Sequence, residues 1–372
     1  MIDNQASTPH NEYKFTAEKI RTSKRTLNFE KGADKTGNHS EVTNIKATKR
    51  KNYNIEFLRD IAITAIVLHH TLCIFAGWPP NADLGDKELP LFLINLSIYS
   101  KSIGLGLFTF IAGYVLNYSI RRKESFLLFL KKKTVRLLVP CVIFAILYAA
   151  VFPMYMLSYG QSSPINGTHL WYLPMLFLCV LITDLHAYIR KQQCIILIIG
   201  LYIGLKCINH YIGFRTFSEF IVYFPVFYIG FWFGKLRLEE RLDKHAINLF
   251  LFFLLLIAAG INLFGDEIAT PNLSLTLSMS VNSIFAYLIV FKIRANIPLN
   301  PFGVCISRQS FTIYLLHQFV IDTLLYIHIA DDMNIYGIIV LFSSCAFFIP
   351  IALGITYDKI ASIIHNRICF VA

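Results

Sequence analysis

Residues 56–71 read EFLRDIAITAIVLHHT, an apolar run that carries an arginine, Arg59, and a histidine, His70. The two are eleven residues apart, which is almost three whole helical turns, so both side chains leave the same face of a helix. Their separation along the helix axis is about 16 Å. Glu56 lies three residues before Arg59 and is placed to pair with it. Ionisable groups on one stripe of an apolar helix usually mark a functional interior.

The composition of the whole chain is that of a membrane protein. The 372 residues are 55% hydrophobic and only 15% charged, whereas a soluble domain carries about 25% charged residues. The apolar residues form blocks long enough to cross a bilayer as helices. We therefore predict an all-α fold, a polytopic integral membrane bundle of about ten transmembrane helices. The predicted spans are residues 55–76, 98–118, 134–154, 170–189, 194–212, 219–235, 246–264, 273–292, 310–328 and 336–357.

The first 52 residues differ from the rest of the chain. They contain 11 Lys or Arg against 6 Asp or Glu and no apolar run, so they cannot bury enough apolar surface to fold alone. We predict a disordered basic cytoplasmic tail over residues 1–52. A membrane-embedded domain follows over residues 53–360, and residues 361–372 form a short cytoplasmic tail.

Charge predicts the orientation of the bundle. The tail and every second loop are basic, whereas the alternate loops are neutral or acidic, and cytoplasmic loops carry the excess of Lys and Arg. We therefore predict a multi-pass protein of the inner or plasma membrane with both termini in the cytoplasm. Arg215 is the main exception to this pattern. The densest basic loop contains Arg121, Arg122, Lys123, Lys131, Lys132, Lys133 and Arg136.

The eight cysteines are scattered through the chain, mostly within apolar runs, and none form a CxxC pair. Buried cysteine behaves as a small hydrophobic residue. The pattern predicts neither a disulfide framework nor a zinc site, so we predict no metal. We also predict no nucleic-acid partner.

Four further segments combine polar, aromatic or small residues within or beside the predicted helices. Each has a plain structural explanation. Small residues let helices approach closely, basic loops set topology, and aromatic residues favour the membrane interface. A single membrane histidine commonly makes only a hydrogen bond between helices. The segments are Phe108–Tyr114 (FTFIAGY), Lys133–Pro140 (KTVRLLVP), His169–Pro174 (HLWYLP) and Ser310–Gln318 (SFTIYLLHQ).

The order and spacing of these segments resemble the membrane acyltransferase 3 family. The family pattern LR-G-I-A…H is similar to Leu58–Ala62 followed by His70, with ten residues between arginine and histidine. Its F-x-S-G-[FY], R-x-x-R-L-x-P, H-L-W-F-L and S-x-x-[IL]-Y-L-x-H patterns resemble the four segments above, in the same order. The resemblance covers residue 54 to about residue 357.

Three positions depart from the family patterns. Ala112 replaces the usual serine, so we assign no hydroxyl chemistry there. Lys133 replaces the first arginine and keeps the charge, but it lacks the bidentate fork of a guanidinium. Asp60 stands where the family often has glycine. From the helical spacing we expect Asp60 and His69 to point away from the face that carries Arg59 and His70.

The resemblance implies transfer of an acyl group, usually acetyl, from acyl-CoA to a hydroxyl of a cell-surface or exported glycan or a lipid-linked sugar. Such a protein modifies polysaccharides by O-acetylation, with acetyl-CoA as donor substrate. His70 is then the general base or a transient acyl carrier. Arg59 either orients the donor or stabilises the developing oxyanion, and its pair with Glu56 is catalytic or purely structural.

The donor has several phosphate groups, and phosphates favour Arg and Lys. We predict that Lys133 and Arg136 hold these phosphates, because their spacing of three puts both cations on one side. The matching motifs add Tyr114, Trp171 and His317 to the predicted donor site. The alternative function is a transporter or flippase of glycan or lipid intermediates, but we find no internal repeat of the kind that marks transporters.

Overall fold

The computed structural model describes residues 52–77, 89–120, 125–152, 165, 168–188, 200, 203–204, 207, 215–241, 243–268, 271–294 and 297–371. Within these residues the chain is helical and contains no strand. The predicted tail before Asn52 and most of the predicted fifth span, 194–212, lie outside them. The helices are α1 (Tyr53–Cys73), α2 (Leu91–Ile120), α3 (Phe126–Lys133), α4 (Val139–Val151), α5 (Tyr172–Tyr188), α6 (Arg215–Leu236), α7 (Leu238–Arg241), α8 (Lys244–Ile268), α9 (Pro271–Arg294), α10 (Pro301–Tyr326) and α11 (Ile335–Val371).

The predicted membrane bundle is confirmed. In the described part of the chain, six helices are long and apolar enough to cross a bilayer, and residues 169–185 and 245–257 form shorter apolar helices. Apart from the fifth predicted span, 194–212, each of the ten predicted spans overlaps a described helix. The last helix continues as far as Val371, so most of the short tail predicted after residue 360 is helical.

Asn52 caps the N-terminus of helix α1, and its side-chain oxygen accepts a hydrogen bond from the Ile55 amide at 3.3 Å. This cap satisfies one of the amides that have no partner within the helix. The helix tightens into a 3₁₀ turn and stops at Gly77, whose φ of +73° favours glycine. Because α2, α9, α10 and α11 all pack against α1, its Arg59–His70 stripe lies inside the bundle.

Glycine lets α2 and α6 approach each other closely. A Cβ added to Gly113 would overlap the carbonyl oxygen of Phe227, and one added to Gly230 would overlap the carbonyl of Phe110. Gly234 lies four residues after Gly230, so the two small residues share one face of α6. This small-xxx-small pattern is the usual means of bringing membrane helices into backbone contact. The contact confirms the close approach predicted for the FTFIAGY segment.

Helices α3 and α4 are joined by a π-helical turn, Thr134–Leu138, that contains Arg136. Pro140 follows in the first turn of α4 and has no amide hydrogen to donate to the carbonyl four residues earlier. That carbonyl belongs to Arg136. The wider turn at this point therefore has a local cause in the sequence, and π turns of this kind are frequent at functional sites.

Helix α10 is the polar member of the bundle. Asn300 caps it by accepting a hydrogen bond from the Gly303 amide at 2.7 Å. Since α10 packs between α1 and α11, its polar side chains turn inward. Those buried along it include Ser307, Gln309, Ser310, His317, Gln318 and Asp322.

Candidate active site

A short 3₁₀ turn, His169–Trp171, presents a histidine to the centre of the bundle. The Thr168 hydroxyl caps the turn by accepting a hydrogen bond from the Leu170 amide at 3.3 Å. The Tyr314 hydroxyl of α10 donates to the carbonyl of His169 at 2.5 Å. These contacts fix the turn against α10 and hold the His169 ring, which is 3% exposed.

Three histidines from separate parts of the chain meet in this interior. The ring centres of His70 and His317 are 4.8 Å apart, and those of His169 and His317 are 4.9 Å apart. His70 and His169 are 6.4 Å apart. We call these three residues the histidine cluster. His317 is fully buried and the other two are nearly so, so the cluster is a buried polar site within the bundle.

Hydrogen bonds to backbone carbonyls assign the tautomers of two of these histidines. His317 Nδ1 lies 2.8 Å from the carbonyl of Tyr314 and 3.0 Å from that of Ile313. A carbonyl only accepts, so this nitrogen carries the proton and Nε2 is the acceptor. His70 Nδ1 lies 2.9 Å from the carbonyl of Ile66 and 3.3 Å from His317 Nε2, so it donates to both. The lone pair of the neutral His70 ring is then on Nε2.

His69 faces a different part of the bundle, as the helical spacing predicted. Its Nδ1 lies 3.0 Å from the carbonyl oxygen of Ser97 and 3.1 Å from the hydroxyl of that residue on α2. Cys73 lies one turn further along α1, with its sulfur 3.4 Å from His69 Nε2. The two adjacent rings touch edge to face, with centres 5.2 Å apart, but their hydrogen bonds go to different partners, Ser97 for His69 and His317 for His70. The term histidine cluster is kept for His70, His169 and His317.

Charged groups gather at the other end of the stripe, around Arg59. The guanidinium interacts electrostatically with the charges of Glu56, Arg136 and Asp60. Arg294 belongs to the same group, since its charge acts on Asp60. Among the described residues, three arginines and two carboxylates thus interact around Arg59. We call these five residues the arginine cluster.

The structure differs from the expectation that Asp60 lies apart from Arg59, because the two charges interact. The position of Asp60 has a local cause. A Cβ added to Gly303, in the first turn of α10, would lie 3.3 Å from Asp60 Oδ2. The carboxylate therefore approaches the N-terminus of α10, where the helix dipole favours negative charge. Arg294 is held nearby, with its guanidinium carbon 4.2 Å above the centre of the Phe57 ring and a hydrogen bond to the carbonyl of Ile297.

Lys133 and Arg136 have different neighbours. The Lys133 ammonium lies 5.2 Å from the centre of the Phe129 ring, and its charge acts on Asp184 of α5. The charge of Arg136 acts on Arg59 instead. Arg136 lies in the π turn, which is wider than an α-helical turn. A spacing of three residues therefore does not place Lys133 and Arg136 on the same side, as it would in a regular α-helix.

The remaining residues of the predicted donor site are separated in the fold. Tyr114 packs against Tyr287, with ring centres 5.5 Å apart, in the core beside the α2–α6 contact. Trp171 lies in the same turn as His169 and has Arg215 over its ring at 5.2 Å. His317 is in the histidine cluster. The structure therefore brings together His70 and His317 in one group and Glu56, Arg59 and Arg136 in another.

Sequence reasoning missed His169 and Arg294 as site residues. His169 was part of a segment typical of an aromatic interface, and Arg294 counted only as a loop charge. The signal for His169 was its position in the HLWYLP segment. Nothing in the sequence placed Arg294 near Asp60, because the contact joins helices that are more than two hundred residues apart.

The arrangement suits proton transfer at one end of the stripe, and its other end carries a group of charged side chains. The orientation of the His70 ring is fixed by hydrogen bonds at Nδ1, so Nε2 is presented in a defined direction. Such fixed imidazoles act as general bases or nucleophiles. No group of three His, Cys, Asp or Glu residues in the described part of the chain has the geometry of a metal site. The arginine cluster is suited to phosphate groups.

The fold and site define a polytopic helical membrane protein with a buried histidine cluster. A family model described as an acyltransferase domain matches residues 52–357 of the chain. The chain belongs to this acyltransferase 3 family, as the motifs predicted, and is a membrane acyltransferase. Searches of curated proteins and of solved structures found no match.

Proposed function

We propose that this acyltransferase moves an acetyl group from acetyl-CoA to a hydroxyl of a cell-surface or exported glycan, or of a lipid-linked sugar. The observation that carries the proposal is the histidine cluster, in which His317 and the carbonyl of Ile66 fix the His70 ring. The family supplies acyl transfer as the reaction class. It also favours an enzyme over a transporter.

In the proposed step, His70 Nε2 takes the proton of the acceptor hydroxyl as its oxygen attacks the thioester carbonyl. The tetrahedral intermediate then expels the CoA thiolate, which takes a proton from the imidazolium and leaves as the thiol. His70 returns to its neutral form, and the products are the acetyl ester and free CoA. While His70 is charged, its Nδ1–H bonds to His317 and to the Ile66 carbonyl are charge-assisted and therefore stronger.

The arginine cluster is the proposed binding site for the donor phosphates. Arg59 and Arg136 lie there, and α1 leads directly from them to His70 over about 16 Å. A donor held by its phosphates at this end extends its thin pantetheine arm along the stripe toward the histidine cluster. In the predicted orientation this end faces the cytoplasm, where acetyl-CoA is found.

A variant of the same chemistry uses His70 as acyl carrier. Nε2 then attacks the thioester itself, CoA leaves, and the acceptor hydroxyl takes the acetyl group from the imidazole. Rapid quenching of the protein with labelled acetyl-CoA in the absence of acceptor separates the two paths. Label on His70 indicates the carrier path, and its absence during continued transfer indicates the general base.

The test of the proposed function uses purified protein in lipid nanodiscs with acetyl-CoA labelled in the acetyl group. Membranes of the host strain lacking the gene supply the acceptor. We expect base-labile label in the glycan fraction, with release of one CoA per acetyl group transferred. Movement of glycan across vesicles without consumption of acetyl-CoA would instead identify the protein as a transporter.

A further inference from the structure

Arg215, the first residue of α6, is the cation that the predicted topology does not explain. It opposes the charge pattern that orients the other loops, and an arginine that serves orientation belongs on the basic side. Membrane orientation therefore does not explain why an arginine is present at this position. The residues that surround Arg215 in the bundle suggest another role.

Specific contacts hold Arg215 in place. Its guanidinium carbon lies 5.2 Å from the centre of the Trp171 ring, a cation–π distance. Its Nε lies 3.6 Å from Glu219 Oε1, one helical turn along α6. Trp171 in turn packs against Tyr223, with ring centres 5.6 Å apart. The arginine is therefore built into the bundle between an aromatic surface and a carboxylate.

Arg215 is also next to the histidine cluster. Trp171 lies in the same turn as His169, and the charge of Arg215 acts on both His70 and His169. The His169 ring lies beside the backbone carbonyls of Tyr314 and Leu315, although neither ring nitrogen meets strict hydrogen-bond geometry within the described residues. A buried histidine held this loosely, beside a fixed arginine, can turn a ring nitrogen toward a polar group that binds between them.

A second cation lies in the same region. The charge of Lys101, on α2, acts on His70 and on Glu219. Among the described residues whose charges interact here, two are cations, Arg215 and Lys101, and one is a carboxylate, Glu219. This region lies at the His70 end of the stripe, eleven residues along α1 from Arg59, so it is separate from the arginine cluster.

We propose that Arg215 and Lys101 bind an acidic group, a carboxylate or a phosphate, on the acceptor. This inference rests on the proposed acyl transfer and assigns the acceptor to a chemical class, a hydroxyl compound with a negative charge near the acetylated position. Arg215 suits either group because its planar fork matches carboxylate and phosphate geometry. Glu219 orients the guanidinium, and His169 contacts the acceptor next to His70.

The test compares three sugars as acceptors for purified protein in nanodiscs with labelled acetyl-CoA. Methyl glucoside is neutral, methyl glucuronoside carries a carboxylate, and glucose 1-phosphate carries a phosphate. We expect kcat/KM for at least one acidic sugar to exceed that for methyl glucoside by about tenfold, as one charge-assisted contact contributes. The carboxylate and phosphate arms identify which acidic group is preferred.

Variants assign the preference to the site. Arg215→Gln should remove most of the roughly tenfold preference while the KM for acetyl-CoA stays unchanged, and Arg215→Lys should keep part of it. Glu219→Gln keeps a side-chain oxygen that accepts from Arg215, so the guanidinium stays oriented. It removes a negative charge that repels the acceptor, and should therefore lower the KM for the acidic sugar. Lys235→Gln is the matched control, because Lys235 is another cation of α6 that lies over a tryptophan, Trp232.

The outcomes separate this proposal from the proposed function. Equal or better transfer to methyl glucoside overturns the acidic acceptor, as does a raised KM for acetyl-CoA in Arg215→Gln. So does acetyl-CoA hydrolysis that depends on His70 without transfer to any of the three sugars. If acetyl-CoA is neither hydrolysed nor used for transfer, the proposed function itself fails. Should Arg215→Gln not fold, the Glu219→Gln result decides, and an unchanged KM for the acidic sugar counts against the proposal.

Discussion

The two ends of the Arg59–His70 stripe differ in burial and in how their polar groups are held. At the arginine cluster, Arg136 is exposed and Arg59 is half-buried, and opposite charges lie within reach of one another. At the histidine cluster all three rings are buried, and backbone carbonyls fix two of them. The first end has the properties of a binding surface that a charged ligand reaches from water. The second has those of a pre-organised reaction site.

The largest expected effect comes from His70→Ala. If His70 Nε2 is the base, its loss should reduce kcat by a hundredfold or more, since general-base catalysis typically contributes about 10²–10⁴-fold. The measurement is acetyl transfer at saturating acetyl-CoA by protein whose folding is checked by gel filtration in detergent.

His69→Ala is the matched control for that substitution. The ring of His69 packs against that of His70, but its hydrogen bond goes to Ser97 and not to a member of the histidine cluster, so we expect its kcat to fall only a few-fold. If the His69→Ala variant is inactive and the His70→Ala variant keeps nearly normal activity, the catalytic face of α1 is the one that carries His69.

His317→Gln sharpens the comparison, because sequence reasoning placed His317 in the donor site whereas the structure places it behind His70. It accepts from His70 Nδ1 at 3.3 Å, and a hydrogen bond to a charged group contributes about 1.5–3 kcal/mol. We therefore expect kcat to fall about tenfold or more with an unchanged KM for acetyl-CoA.

A control and a contrary result complete that experiment. His328→Asn alters an exposed histidine just past the end of α10 that pairs with Asp331, and asparagine tolerates its positive φ. It should leave kcat unchanged. If His317→Gln instead raises the KM for acetyl-CoA at constant kcat, His317 is a donor-binding residue and the two ends are not functionally separate.

Much of the fold was predictable from the sequence, because apolar blocks of spanning length appear directly in the residue order. The shared face of Arg59 and His70 was also predictable, since it depends only on helical periodicity. The partners of that face were harder to predict. Contacts such as that of His169 with His317 join distant segments, and no local pattern encodes them. The separate surroundings of Lys133 and Arg136 follow from a π turn, which a rule based on α-helical spacing does not anticipate.

Arg136→Gln tests the arginine cluster, the more exposed end of the Arg59–His70 stripe. Loss of one charge-assisted phosphate contact should raise the KM for acetyl-CoA about tenfold, with kcat largely kept because the histidine cluster is untouched. Lys131→Gln, an exposed cation of α3, is the control and should leave the KM unchanged. An unchanged KM in Arg136→Gln would make Arg136 a topology residue and place the donor phosphates elsewhere.

The smallest effect is expected from Lys133→Gln. The sequence paired Lys133 with Arg136 as phosphate ligands, but in the structure its ammonium lies over Phe129 and its charge acts on Asp184 rather than on Arg59. We therefore expect the KM for acetyl-CoA to rise by less than about threefold, within the range of an exposed ion pair. The double variant with Arg136→Gln should show additive changes in free energy if the two sites are independent. A KM change as large as that of Arg136→Gln, or strong non-additivity, would show that the phosphates bridge both residues. The arginine cluster would then extend to α3, and the π turn would not separate the two cations in the complex.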